Sequence, residues 1–235
     1  MSGPCPYGLC DGSGFLIDEA TNTASDCRCR PSRIAGVRAR RLEARIPRRY
    51  RDISFEQLTG TDLVAFPEQV RMVRGFVARI EENLEAGRGM WIIGDTGTGK
   101  TMLAMLVSKA ALDAGRSAAI YSLPRLMQMI RESIGEEGVV GFLDELAAVD
   151  LLHLDDVGAE NRTDWVLEQL YSIVNKRYED ERSIILTTNF EPKTLEEQIG
   201  KRTVSRLVEM CGDPVCLYGE DQRVVYRRPH SPSSA

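Results

Sequence analysis

Residues 94–101 read Gly94, Asp95, Thr96, Gly97, Thr98, Gly99, Lys100, Thr101, the pattern G-x-x-x-x-G-K-[ST] that wraps phosphate. Glycines in such a loop let backbone N–H groups turn inward around phosphate oxygens, and the helix that follows aims its positive end at them. Lys100 then reaches the β- and γ-phosphates of a nucleotide. Thr101 offers a hydroxyl to Mg2+, whose other positions go to phosphate oxygens, water and a carboxylate held through water. A chain of this length meets the pattern by accident on the order of one time in a hundred at average residue frequencies. The implied cofactors are ATP and Mg2+.

The carboxylate must come from a neighbouring strand. LLHLDD, residues 151–156, is an apolar run ending in two acids, which delivers Asp155 to the magnesium edge of the loop. Asp156 beside it is placed to orient or deprotonate the attacking water. Two acids at a strand end also suit plain solvent-facing termination, but the phosphate loop upstream favours the catalytic reading. His153, between Leu152 and Leu154, is expected to face a neighbouring helix and receives no catalytic role.

Cys5, Cys10, Cys27 and Cys29 are four of only six cysteines in the chain and fall within 25 residues. The surrounding segment has too few apolar residues for a core of its own, and four reduced thiols around a tetrahedral Zn2+ would supply one. The spacings C-x4-C and C-x-C depart from the commoner paired C-x2-C, so unligated thiols or a redox pair stay open as alternatives. Cys211 and Cys216 read as ordinary buried small residues.

The elements that hold these groups follow from the pattern of apolar residues. From Gly89 onward short β-rich runs, 90–93, 118–121, 151–154 and 184–188, alternate with helical patterns at 100–114, 124–134, 139–149 and 163–180. Such alternation predicts an α/β fold, a central parallel sheet flanked by helices. Pro67 suits a first helical turn, and Val70, Val73, Phe76, Val77, Ile80 and Leu84 recur at helical spacing up to Gly87. The organisation expected is a Cys-rich zinc module over 1–30, a basic linker and lead-in over 31–66, an ATPase domain over 67–228 and a disordered tail over 229–235.

With 43% hydrophobic and 28% charged residues the composition is that of a globular protein, and no apolar run approaches the ~20 residues that span a bilayer. MSGPCPYGLC lacks the basic start and apolar stretch of a secretory signal, so a cytoplasmic location with reduced thiols is expected. The net charge of −5 hides an asymmetry: Arg28 to Arg51 holds ten arginines against one acid, Glu43. That block is either a solvated connector or a surface that attracts nucleic acid or an acidic partner.

IILTTN, 184–189, resembles the sensor-1 strand of AAA+ ATPases, which places Asn189 near the γ-phosphate or its attacking water. KRTVSRL, 201–207, resembles the segment that projects an arginine finger into the next subunit's site, with Arg206 as first choice and Arg202 as the alternative; a solvated helix face has the same spacing. With RIPRRYRDISFEQL at 45–58 and VCLYGEDQR at 215–223, the pattern looks like the DnaC/DnaI/IstB branch of AAA+ proteins over about 45–226. The resemblance implies that Arg223 touches nucleotide phosphates. CDGSGFLI followed by CRC is similar to the cysteine-rich N-terminal segment of some DnaI/DnaC-like loaders.

The resemblance implies an ATPase that hydrolyses slowly and only on assembly, since a finger supplied by a neighbour contributes roughly 10³ to 10⁵ in rate. It implies a homo-oligomer on ATP binding, a hexameric replicative helicase as partner and single-stranded DNA as ligand, with Arg125 and Arg131 either as candidate contacts or as part of a solvated helix face. The alternative is an IstB-type transposition helper ATPase that binds duplex DNA and a transposase. A small-molecule P-loop kinase would need an acceptor pocket and lid arginines.

Overall fold

A computed structural model of the protein describes residues 5–18, 21, 23–30, 46–56, 58, 65–133, 138–158, 162–219 and 221. The basic run between 31 and 45, Arg223 and the tail 229–235 lie outside the described residues.

Five strands form the main sheet: β3 (Met90–Gly94), β4 (Ala118–Ser122), β5 (Leu151–Asp155), β6 (Ser183–Thr188) and β7 (Val215–Leu217). Their spatial order is β4-β5-β6-β3-β7, and every neighbouring pair is parallel. Parallel strands need crossover connections. These are α3 (Lys100–Asp113), α4 (Leu123–Glu132), α5 (Gly138–Ala148), α6 (Asp164–Glu179), α7 (Pro192–Ile199) and α8 (Lys201–Cys211), while α1 (Pro67–Val77) and α2 (Ile80–Glu85) precede β3.

Side-chain alternation along each strand builds two apolar layers. Trp91 and Ile93 of β3 join Leu126, Leu170 and Leu207 on one face. Met90 and Ile92 join Val73, Leu103 and Val107 on the other, where Ile53 and Phe55 of the lead-in also pack. Lys109 Nζ pins that lead-in by donating to the carbonyls of Arg51 at 3.0 Å and Ile53 at 3.1 Å.

The helix expected to run from Pro67 toward Gly87 is two helices. The turn at 78–79 is closed by Arg79 N–H donating to Phe76 O at 3.2 Å, and Asn83 Nδ2 donates to the same carbonyl at 3.0 Å. A side chain that captures a mid-helix carbonyl competes with the helical ladder. β7 was not anticipated either; it adds the fifth strand beside β3.

Arg177, on α6, is fully buried. Its guanidinium donates to the carbonyls of Leu146, Val149, Asp150 and Ser183 at 2.6 to 3.2 Å, so one side chain closes the end of α5 and the entries to β5 and β6. Burial, with Arg182 nearby, lowers its pKa to about 9, leaving the guanidinium charged at neutral pH.

A separate two-stranded antiparallel sheet joins β1 (Phe15–Asp18) to β2 (Thr23–Asp26). Every residue of β2 is exposed; beneath the hairpin lie Cys5, Cys27 and Cys29, with Cys10 and Leu16 against them.

Candidate functional site

The phosphate loop connects β3 to α3, where the sequence pattern requires it. Gly94 has φ 146°, and a Cβ there would lie 1.8 Å from Leu217 O; only glycine lets β7 come so close. Asp95 N–H completes that contact by donating to Leu217 O at 3.0 Å. Gly97 has φ 81°, and a Cβ would meet the Asp221 carboxylate at 1.9 Å. Gly94 demands glycine for backbone conformation and for space, and Gly97 for backbone conformation.

Lys100 is 7% exposed. Its Nζ donates to the carbonyls of Gly94 at 3.0 Å and Asp95 at 2.6 Å, so the cation already sits inside the loop. Thr98 Oγ1 donates to Asp95 O at 2.8 Å, and Asp95 Oδ2 accepts from Gly219 N–H at 2.9 Å. Thr96 lies on the loop, and its side chain has no hydrogen bond among the described residues.

Thr101 Oγ1 donates to Asp155 Oδ1 at 2.9 Å. The same oxygen accepts from Thr187 Oγ1 at 2.7 Å, a partner the sequence reading missed, although Thr187 stands within the IILTTN strand. The strand order signals it, because β6 lies between β3 and β5. A hydroxyl and a carboxylate oxygen in contact beside a buried lysine form the donor set that Mg2+ and nucleotide phosphates take.

Asp156 follows β5 with φ 58°, in the left-handed region that aspartate tolerates better than most residues. Its N–H donates to Thr187 Oγ1 at 2.8 Å. Asn189 Nδ2 donates to Asp156 Oδ1 at 3.0 Å. The two polar groups expected near the γ-phosphate thus meet at the ends of adjacent strands.

His153 faces α3, as expected of a residue turned toward a helix. It is fully buried, and burial lowers its pKa to about 4, against the raising effect of Asp155; the ring is neutral at physiological pH.

The arginines of α8 stand in different environments. Arg206 lies over the Tyr178 ring, 4.1 Å from its centroid, and 3.6 Å from Glu209 Oε1; Tyr178 Oη donates to Glu209 Oε2 at 2.7 Å. Arg202, one turn earlier, is exposed and has no ion pair among the described residues. On α4, Arg125 is exposed and Arg131 lies over the Trp165 ring at 4.7 Å. Cys211 and Cys216 are only partly buried, and burial raises both thiols.

In the cysteine module the four sulfurs lie within 4.8 Å of one another, with Cys5 to Cys27 at 3.8 Å and Cys10 to Cys29 at 3.5 Å. Tetrahedral zinc with bonds of about 2.3 Å holds its sulfurs about 3.8 Å apart, so the cluster fits that ion. Burial raises the Cys5 thiol, but the backbone N–H groups of Leu9, Cys10 and Tyr7 and the Cys10 side chain outweigh it and bring it to about 6. A thiolate at neutral pH is the form a metal binds.

Comparison with known proteins agrees with this geometry. The sequence model of a family described as IstB-like ATP binding protein matches residues 35–208. The chain is 24% identical to the replicative helicase loader DnaI of Bacillus subtilis over 150 residues, 58% of this chain and 48% of that protein. It is 26% identical to the replicative helicase loader DnaC of Escherichia coli over 116 residues, 48% of this chain and 47% of that protein. The chain therefore spans about half the length of these relatives. Among solved structures, the crystal structure of the DnaC helicase loader matches with a TM-score of 0.65 at 26% identity, covering 74% of this chain and 100% of that one. AMPPCP-bound DnaA from Aquifex aeolicus matches at 0.55 and 25% identity, over 65% of this chain and 46% of that one. The parallel sheet with its flanking helices is the AAA+ P-loop fold. No described helix is long and apolar enough to cross a membrane.

Proposed function

The chain belongs to the IstB-like ATP binding protein family, within the DnaC/IstB-like branch of AAA+ proteins, and from that membership we propose that it is an ATPase that loads a hexameric replicative helicase onto single-stranded DNA. The observation that carries the reading is the presence in one chain of two constellations: Lys100, Thr101 and Asp155 around a phosphate loop, and a four-thiol cluster in the segments that flank a separate hairpin. The relatives DnaI and DnaC, named as replicative helicase loaders, support it. In this reading residues 1–30 form a zinc module that grips the helicase, 31–66 link it onward, and 67–228 form the ATPase domain.

ATP is the substrate. The loop from Gly94 to Thr101 receives its phosphates, and Lys100 exchanges the Gly94 and Asp95 carbonyls for β- and γ-phosphate oxygens. Thr101 and Asp155 would hold the magnesium ion, which would neutralise charge developing on the phosphates. Asp156 orients or deprotonates the attacking water, and Asn189, bonded to it, keeps that group aimed. Arg206 or Arg202 completes the site of a neighbouring copy, so turnover is slow until copies assemble on ATP; Arg223 adds a phosphate contact. In the cysteine module Cys5, Cys10, Cys27 and Cys29 would hold Zn2+, which would tie the loops to the hairpin.

The test is ATP hydrolysis by the full chain, alone and with single-stranded or duplex DNA, together with capture of a replicative helicase. Lys100→Ala is expected to abolish turnover and nucleotide binding. Arg206→Ala is expected to bind nucleotide normally but to lose turnover by roughly 10³ or more. Mixing the two is expected to restore part of the activity, because one variant supplies the intact site and the other the finger. Single-strand stimulation with helicase capture supports the loader. The family description favours a second reading, a transposition helper ATPase, to which duplex stimulation without helicase capture would lead. Full activity of Arg206→Ala would transfer the finger to Arg202 or remove it.

A further inference from the structure

β5 carries His153 and Asp155 two residues apart, so both side chains leave the strand on the same face. α3 lies over that face and carries Thr101 and Ser108 seven residues apart, two turns along one stripe. Two contacts join the stripes: Thr101 Oγ1 donates to Asp155 Oδ1 at 2.9 Å, and Ser108 Oγ lies 2.9 Å from His153 Nδ1. Between these contacts His153 Nε2 lies 4.0 Å from Asp155 Oδ1. Nε2 is the buried side-chain nitrogen or oxygen that lacks a hydrogen-bond partner among the described residues.

A buried polar atom left open carries a desolvation cost, and leucine at this position would avoid it. The orientation of the ring supplies a reason for histidine. A carboxylate oxygen only accepts, so the tautomer with the proton on Nε2 faces Asp155 favourably; the Ser108 hydroxyl, which also lies 3.1 Å from the Ala104 carbonyl as a donor, then gives its single proton to Nδ1 and leaves that carbonyl to the helical ladder. At 4.0 Å the contact is not a hydrogen bond. In a water-excluded interior, however, an N–H dipole aimed at a carboxylate is weakly screened. Thr101 and Thr187 already restrain the same oxygen, and His153 approaches it from within the core.

We propose that His153 is a positioning residue for the metal side of the nucleotide site, its Nε2–H restraining Asp155 in line with Thr101 while Ser108 fixes the ring. This rests on the reading of Asp155 as the carboxylate that serves magnesium. A group that orients a metal-side carboxylate acts on metal affinity, and loss of such a group typically costs 10–100-fold there. Binding of nucleotide to the loop itself should be indifferent to it.

The experiment is equilibrium binding of a fluorescent ATP analogue to the full chain, first in EDTA and then across a Mg2+ titration. Melting curves without nucleotide report on folding. His153→Leu is expected to fold, to bind the analogue in EDTA as the unsubstituted protein does, and to need roughly tenfold more Mg2+ for half-maximal enhancement. His153→Gln, whose amide N–H extends toward the position of Nε2, is expected to recover most of that shift. Ser108→Ala, which frees the ring, is expected to give a smaller shift in the same direction, and it carries the decision should His153→Leu not fold. An unchanged Mg2+ midpoint in these variants overturns the inference, as does an equal loss in EDTA and in Mg2+. Failure of the underlying reading looks different: the unsubstituted protein then binds the analogue with no response to Mg2+ at all.

Discussion

In β6 all six residues are buried, whereas in β2 all four are exposed. The same chain thus builds one sheet around apolar layers on both faces and another around almost none. The five-stranded sheet gains from every side chain it removes from water, on the order of 25 cal/mol per Å² of apolar surface. The β1–β2 hairpin lacks that source, since a two-stranded ribbon is at best marginal in water. What it has is three buried cysteines with a fourth beside them. The phosphate site rests on a core spread over many residues, whereas the buried residues of the module are cysteines whose sulfurs, with that of Cys10, lie within 4.8 Å of one another.

The largest effect that tests this contrast is metal removal. Chelation of the full chain, or Cys27→Ser, is expected to unfold residues 15–26 while the main sheet keeps its melting behaviour, because structural zinc contributes about 10 kcal/mol or more to small modules of this kind. Segment-resolved amide exchange with a metal assay reads it, and a hairpin that stays protected after chelation would break the comparison. A smaller effect is expected in the sheet. Arg177→Met leaves the Leu146, Val149, Asp150 and Ser183 carbonyls without their buried donor and should cost about 3–5 kcal/mol. A lowered urea midpoint with unchanged metal content is the expected result; loss of metal in this variant would mean the two parts are coupled. The smallest effect sharpens the scale: Thr163 Oγ1 accepts from Val166 N–H at the start of α6, and Thr163→Ala should lower sheet stability by about 1 kcal/mol.

The phosphate loop was legible because its chemistry restricts residue types: no other set offers glycine turns, a lysine and a hydroxyl at that spacing. Asp155 was legible from an apolar strand that ends abruptly in acids, and the core strands from runs that are apolar on both faces. Contacts distant in sequence were not legible. β7 is three residues beside Pro214, too short to show a period, and it exists because β3 offers an edge. Thr187 meets Asp155 only because β6 is inserted between β3 and β5. The stacking of Arg206 on Tyr178 joins α6 to α8 and leaves no local signature. The break between α1 and α2 depends on an asparagine side chain that a count of apolar spacing passes over. The four-cysteine cluster was legible as a set, and its proximity in space is what the structure adds.

β7 also bears on how the protein is made. Asp95 in the phosphate loop bonds to Leu217, so the loop's first turn lacks its outer wall until residue 217 has been synthesised. From Thr101 to Leu217 the ribosome adds 116 residues (217 − 101), roughly 6 to 23 s at 5–20 residues per second. Throughout that interval the nascent chain carries a complete nucleotide-binding motif without the strand that shapes it. The close contact between the phosphate loop and β7 is therefore made late, when this last of the described strands docks against β3.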